Sequence, residues 1–306
     1  MGIEKPEPQI NTNEGFCWRV VATSVTGSNH EKKDTKCQDS YYWRTLNEQI
    51  LIAAVADGAG SAMFGDIGAK VSARTAVKAA RLSLLEPIFG QGFCSNFLLD
   101  RNTMNYHFMS CSGRKSKKLA KNLNNLSDVF RDAFRAAIKK IESEALSRQA
   151  TPRDLATTLI LLIATPDYIA AAQIGDGSVV VSMPERDILA ITIPQKGEYV
   201  NETKFLISHD ALNEMQIQIH HDSVEYIAMF SDGLQSLALE MPENLPYLPF
   251  FLPLFRFISS ADDKQVAKVH LSEFLRSARV RERTDDDLTL LLAAIKKNCK
   301  SIQPME

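Results

Sequence analysis

The chain has no uninterrupted apolar stretch of the roughly 18 residues needed to cross a bilayer. Its richest candidate, LPYLPFFLPLFRFI, is interrupted by three prolines and an arginine. Cysteine is scarce: five in 306 residues, widely spaced, with no C-x-x-C pair. That argues against a disulfide framework or a zinc site and favours a reducing compartment. The opening MGIEKPEPQINTNEG lacks the apolar centre of a signal peptide, so a cytoplasmic protein without a membrane partner is expected. Neither sign of charge dominates. A net charge of −2 leaves no overall basic footprint for nucleic acid, and the local cluster Arg114, Lys115, Lys117, Lys118 and Lys121 reads as a solvated loop. The chain also lacks G-x-S-x-G, C-x₅-R, G-x-x-x-x-G-K-[ST] and H-x-x-x-H. Serine or cysteine nucleophiles in their familiar settings, P-loop nucleotide chemistry and paired-histidine metal sites are thereby set aside.

What remains is the composition of an ordinary soluble protein, 45% hydrophobic and 24% charged, large enough to bury a sizeable core. Residues 1–15 read as a flexible lead-in and 16–297 as one domain, with 87–125 a loop or decorating insertion. Strand-like runs are FCWRVVATSV, DSYYWR, LIAAVA, LATTLILLIA, YIAAAQI, GSVVVSM, YIAMF and LTLLLAAI. Helical stripes are expected over 66–85, over 127–147 with Ser127 as N-cap, and over 264–279. GSNHEKKDTKCQ reads as a polar loop. The Pro- and Phe-rich stretch 242–258 reads first as a core-packed connector, and second as a docking surface for a partner kinase. Strands outnumber helices, and helices do not follow each strand, so the class is α+β with antiparallel sheets.

Acidic residues recur at the ends of these runs. LIAAVADG ends at Asp57-Gly58, YIAAAQIGDG at Asp176-Gly177 and YIAMFSDG at Asp232-Gly233, while Asp285-Asp286-Asp287 precedes LTLLLAAI. Asp-Gly is by itself a hairpin-turn signal, because both residues tolerate positive φ. VADGAGSAMFGDIGA, however, runs from a buried strand through small residues into a helix, which no hairpin does. Carboxylates placed repeatedly at strand ends suit hard cations such as Mg²⁺ or Mn²⁺. If the clusters converge, the chain is a metal-dependent hydrolase.

In order along the chain stand CQDSYYW (Gln38-Asp39), VADGAGSAMFGDIGA, ATTLILLIA (Thr157-Thr158), IGDGSVVV, FSDGL and DDLTLLLA (Asp286-Asp287). Six such motifs over residues 16–295 resemble the metal-dependent protein phosphatases, the PPM or type-2C serine/threonine phosphatases, in a bacterial branch. The resemblance implies a four-layer αββα sandwich of two antiparallel sheets flanked by helices. It implies two Mn²⁺ or Mg²⁺ ions, with a third, weaker ion, and hydrolysis of phosphomonoesters on proteins by a water that the ions activate. Asp57 would bridge both ions and the Gly58 carbonyl would add a ligand. Asp232 and Asp286 would hold one ion, Asp39 would act through bound water, and Asp176 would share the weaker ion with Asp232. Asp39 and Asp57 are the expected catalytic pair. A phosphorylated protein is the expected substrate, a cognate serine/threonine kinase the expected partner, and a monomer the expected state.

The chain departs from the family pattern at three places. Asp34 stands where many members carry a phosphate-gripping arginine, four positions before Gln38, and a carboxylate cannot replace a guanidinium fork. His30, Lys33 and Lys36 are the nearby substitutes. Gln38 replaces the commoner glutamate, and Asp287 stands where asparagine is frequent. The missing arginine leaves one rival function, a catalytically weak phosphatase-like module that binds phosphoproteins without turnover. A metal-dependent nuclease is a more distant rival, weighed down by the near-neutral charge.

Overall fold

The computed structural model describes residues 16–89, 126–184, 188–195 and 203–297. The expected lead-in, the basic cluster at 114–121 and nearly all of the expected insertion at 87–125 lie outside the described residues.

The order begins β1 Phe16–Val25, α1 Ser28–Lys32, β2 Asp39–Leu46, β3 Ile50–Asp57, α2 Gly65–Phe89 and α3 Leu126–Ser147. Then come β4 Leu159–Thr165, β5 Tyr168–Ile174, β6 Ser178–Ser182, β7 Ile188–Ala190, β8 Gln216–His220 and β9 Tyr226–Phe230. The short pair β10 Leu239–Glu240 and β11 Leu245–Pro246 precedes α4 Leu248–Ser260, α5 Lys264–Leu275, α6 Ala278–Arg281 and β12 Leu288–Lys297. Two five-stranded sheets form, in the orders β1-β12-β9-β6-β7 and β2-β3-β4-β5-β8, and every pairing in them is antiparallel.

The near-continuous apolar runs have a physical reason. An antiparallel strand alternates apolar and polar residues when one face meets water, but here both faces are covered. Leu51, Ala53 and Val55 of β3 face the other sheet with Trp18, Val20, Leu291 and Met229. Ile50, Ile52, Ala54 and Ala56 face the helices, against Ala69, Ala73, Ala76, Phe130 and Phe134. The alanine stripe of α2 lets that helix lie close on its sheet. A third cluster seats Phe251, Leu254, Phe255 and Ile258 of α4 and Leu271 and Leu275 of α5 on the outer face of the β1 sheet. Helix, sheet, sheet and helix therefore stack as the expected αββα sandwich.

Five readings need correction. The polar loop contains α1, a five-residue helix with no side-chain cap. It is held from outside by Asn29 N–H donating to the Asp285 carbonyl at 3.0 Å, a contact no local pattern reveals. Ser127 is not a cap, since α3 already includes Leu126. The single helix over 264–279 is two, α5 and α6, because the chain turns at Arg276 and Ser277. The connector 242–258 is largely helix α4. Pro249 sits in its first turn, where the missing N–H costs nothing, and Pro253 lies inside it. An interior proline costs about 3 kcal/mol. Each of the four buried apolar side chains of α4 returns about 1.5–3 kcal/mol. Cys37 is free, whereas Cys17 is disulfide-bonded: an odd count excludes complete pairing but not a single bridge.

Candidate metal centre

Antiparallel geometry decides where the acids go. Asp39 begins β2 and Asp57 ends β3, and the register pairs them directly. Strands β5 and β9 end, and β6 and β12 begin, at that same end of the sandwich, since Ser178 and Leu290 both pair with Phe230. Asp176 sits on the corner between β5 and β6, which belong to different sheets. Gly175 makes that corner with φ of 112°, a conformation that side-chain-bearing residues rarely adopt. Asp232 opens a 3₁₀ turn after β9. None of the three Asp-Gly pairs is a hairpin.

Carboxylate oxygens of Asp57, Asp176 and Asp232 lie within 4.8 Å of one another. Asp57, Gly58, Asp232 and Asp286 line one cavity of about 260 Å³, together with Asn29, His30, Lys33 and Thr203. Asp39 is buried behind this wall, in reach of Asp57 and Asp232. The structure therefore brings Asp57, Asp176 and Asp232 into one tight group, adds Asp286 and Gly58 on the shared wall, and holds Asp39 behind it. Gly58 allows a further close approach: a Cβ there would lie 2.3 Å from the Gly65 carbonyl oxygen, where α2 begins.

Backbone and hydroxyl groups fix the acids in place. The Thr157 hydroxyl donates to the Asp57 carbonyl at 2.8 Å, and the Asp57 N–H donates to the Thr158 hydroxyl at 3.0 Å. Ser231 Oγ donates to Asp39 Oδ2 at 2.6 Å and accepts from Thr289 N–H at 3.0 Å. The Thr203 hydroxyl donates to Asp176 Oδ2 at 2.7 Å, and the Gln235 amide donates to the Asp176 carbonyl. Sequence reading missed Ser231, Thr203 and Gln235. Ser231 had one available signal, its place beside Asp232 at a strand end.

Electrostatics describe a group of acids short of positive charge. Burial, with added repulsion from Asp232 and Asp287, pushes Asp39 up to about 8 despite the Ser231 hydrogen bond. Burial and the neighbours Asp176 and Asp286 push Asp232 up to about 6. Asp57 is raised well above the carboxylate range by burial and then by Asp39 and Asp232, and burial raises Asp176. Asp39 Oδ1, Asp176 Oδ1 and Gln38 Oε1 are buried with no partner among the described residues. Two carboxylates about 4 Å apart repel by roughly 4 kcal/mol at an effective dielectric of 20. Orphaned, all-oxygen donors in such a cluster fit hard divalent cations.

Asp287 does different work. Its Oδ1 accepts from Gly27 N–H at 2.7 Å, and its Oδ2 accepts from Gln38 N–H at 2.6 Å and from the His30 imidazole at 2.9 Å. It thus ties α1 and the start of β2 to the start of β12. Asp287→Ala leaves the buried Gly27 N–H and the half-buried Gln38 N–H unpaired at about 1–3 kcal/mol each, so urea unfolding should show a loss of about 2–6 kcal/mol. Asp287→Asn keeps one acceptor oxygen and should lose about half as much. Equal stability of the alanine variant and the parent would remove Asp287 from this role.

Three comparisons bear on what such a site does. The family profile described as "Protein phosphatase 2C" matches residues 26–276. Serine/threonine-protein phosphatase 3 of Escherichia coli (strain K12) is 33% identical over 283 residues, covering 90% of this chain and 98% of that protein. Among solved structures, the serine/threonine phosphatase Stp1 from Staphylococcus aureus superposes with a TM-score of 0.54 at 14% identity, covering 96% of this chain and 100% of its own. A bacterial serine phosphatase gives a TM-score of 0.53 at 14% identity, covering 92% of this chain and 99% of its own. With a profile spanning most of its length and a relative matched almost end to end, the chain belongs to the protein phosphatase 2C family, the metal-dependent protein phosphatases.

Proposed function

We propose that the chain hydrolyses phosphoserine and phosphothreonine monoesters of proteins at the end of the sandwich where its aspartates meet. The observation that carries this reading is the approach of Asp57, Asp176 and Asp232 to within 4.8 Å, beside a cavity walled by Gly58 and Asp286. Asp57, Gly58, Asp232 and Asp286 are assigned to two Mn²⁺ or Mg²⁺ ions, with Asp39 behind them and Asp176 sharing a weaker third ion with Asp232. Ions held there supply a nucleophilic water at neutral pH and neutralise charge on the phosphoryl oxygens. Asp39, its Oδ2 held by Ser231 and its Oδ1 unpartnered, keeps an acceptor free for the attacking water. A monomeric, cytoplasmic enzyme opposed to a serine/threonine kinase fits this reading.

The chain's own residues answer the missing arginine. Asp34 has φ of 52°, and neither it nor Lys36 lines the cavity. Asn29, His30 and Lys33 do. All three belong to α1 or its C-terminal edge, and Asp287 orients His30. They place amide, imidazole and ammonium donors on the wall facing the acids, where a phosphoryl group has oxygens to bind. The rival non-catalytic module has no observation in its favour once these donors and the acids share one cavity.

The test is hydrolysis of a phosphothreonine peptide by the full chain in Mn²⁺ and in EDTA. Chelator-sensitive turnover is expected, and Lys33→Ala should lower kcat/KM by about 5- to 20-fold through a lost charge on the phosphoryl group. Turnover that survives EDTA would overturn the metal assignment. An unchanged Lys33→Ala enzyme would return that lysine to the solvated surface.

A further inference from the structure

A second cavity, of about 370 Å³, opens between α4, α5 and α6. Its walls are apolar, with Tyr247, Phe250, Phe257 and Phe274 among them, and its charged or ionisable lining is confined to His270, Arg279 and Arg283. No aspartate or glutamate among the described residues lines it. Helix α4 thus has two apolar faces: Phe251, Leu254, Phe255 and Ile258 are buried in the core, while Phe250, Pro253 and Phe257 face the groove.

The arginines of this region divide into two sets. Arg281 pairs with Glu31 of α1 at 2.7 Å, and Arg276 lies 4.0 Å from the same carboxylate. Arg279 and Arg283, on the groove, have no acidic partner among the described residues. Helix α6 is therefore a shared wall. One side braces α1, which carries Lys33 and His30 into the metal-site cavity, and the other presents unspent positive charge beside aromatic surface. From Arg283 to Asp286 the chain can span at most about 11 Å, so the groove opens close to the reaction site.

We propose that this groove docks an apolar, acidic segment of the phosphoprotein substrate itself, resting on the phosphatase reading above. Aromatic or leucine side chains fill the pocket between the helices, and acidic side chains meet Arg279 and Arg283. An extended chain rises about 3.3 Å per residue. A segment lying about four to eight residues from the phosphoresidue therefore reaches both places. Apolar anchors set the affinity and the arginines exclude basic sequences, as charge complementarity does at other interfaces.

The test uses the Mn²⁺-loaded full chain and three phosphothreonine peptides: a bare one, one with Leu-Phe-Asp-Glu six residues from the phosphoresidue, and one with Leu-Phe-Lys-Lys there, the tails tried on either side. The acidic peptide should show kcat/KM at least about fivefold above the other two, through KM with kcat unchanged. In Arg279→Glu the preference should swing to the lysine peptide, while hydrolysis of p-nitrophenyl phosphate stays within about twofold of the parent. Equal rates on all three peptides, with p-nitrophenyl phosphate still turned over, would overturn the groove alone. No turnover of any substrate would overturn the phosphatase reading and the groove with it. An Arg279→Glu-sensitive dimer in light scattering, with equal peptide rates, would assign the groove to a second copy of the chain and also overturn the proposal.

Discussion

Asp57→Asn should lower Mn²⁺-dependent kcat by at least about 100-fold while leaving the chain as stable in EDTA as the parent, or more so. The two halves of this expectation have one cause. Asp57 stands where three other acids converge on it: Asp39 across the β2–β3 ladder, Asp176 and Asp232 within the tight group. Its carboxylate is raised well above the usual range by burial and then by Asp39 and Asp232. Asparagine keeps the shape, the Thr157 and Thr158 clamps act on its backbone rather than its side chain, and the change removes a buried carboxyl whose ionisation the fold opposes. If the ions bind as proposed, catalysis loses an oxygen that would hold them. Steady-state kinetics on p-nitrophenyl phosphate, read beside a thermal melt in EDTA, separate the two effects. A melting temperature that falls in step with kcat would mean Asp57 is structural. An unchanged kcat would remove it from the centre.

The parts of this site legible from sequence were those carried by local pattern. Asp57 stood out because a strand-to-helix junction is not a hairpin. Asp39, Asp176, Asp232 and Asp286 each flank an apolar run whose period and length announce a strand. Sheet pairing then brings them together, and the register that sets Asp39 opposite Asp57 was only implied. What stayed hidden acts across long stretches of chain with no periodicity of its own. Ser231 reaches Asp39 across 192 positions, and Asp287 reaches Gly27 across 260. Such residues look like ordinary loop polars until the sheets are assembled. Helix α4 was hidden for the opposite reason. Its prolines give a strong local signal against helix, and only burial of Phe251, Leu254, Phe255 and Ile258 on the neighbouring sheet outweighs it.

Adding Mn²⁺ should stabilise the chain by an amount that grows with pH. In chelator, Asp39 is held up to about 8 and Asp232 up to about 6, against an ordinary aspartate value near about 4 in the unfolded chain. Between those values the folded chain holds more protons than the unfolded one. The contribution of these two groups to stability is therefore fully present below about 4 and is lost as the pH rises through about 6 and then about 8. Cations take the place of those protons, so binding releases them and tightens as they become scarce. At pH 8, Mn²⁺ at about 100 times its Kd should contribute about 2.7 kcal/mol per site, which is about 4–5 °C in Tm per site for a domain of this size. At pH 5 the shift should shrink to less than about 2 °C, because protons then compete for the same oxygens. Asp57→Asn should lose most of the shift at either pH. Scanning fluorimetry across pH with Mn²⁺, Mg²⁺ and EDTA reads this without any turnover, so it tests the centre independently of substrate. A shift of equal size at pH 5 and pH 8 would mean that the ion binds somewhere other than these buried carboxylates.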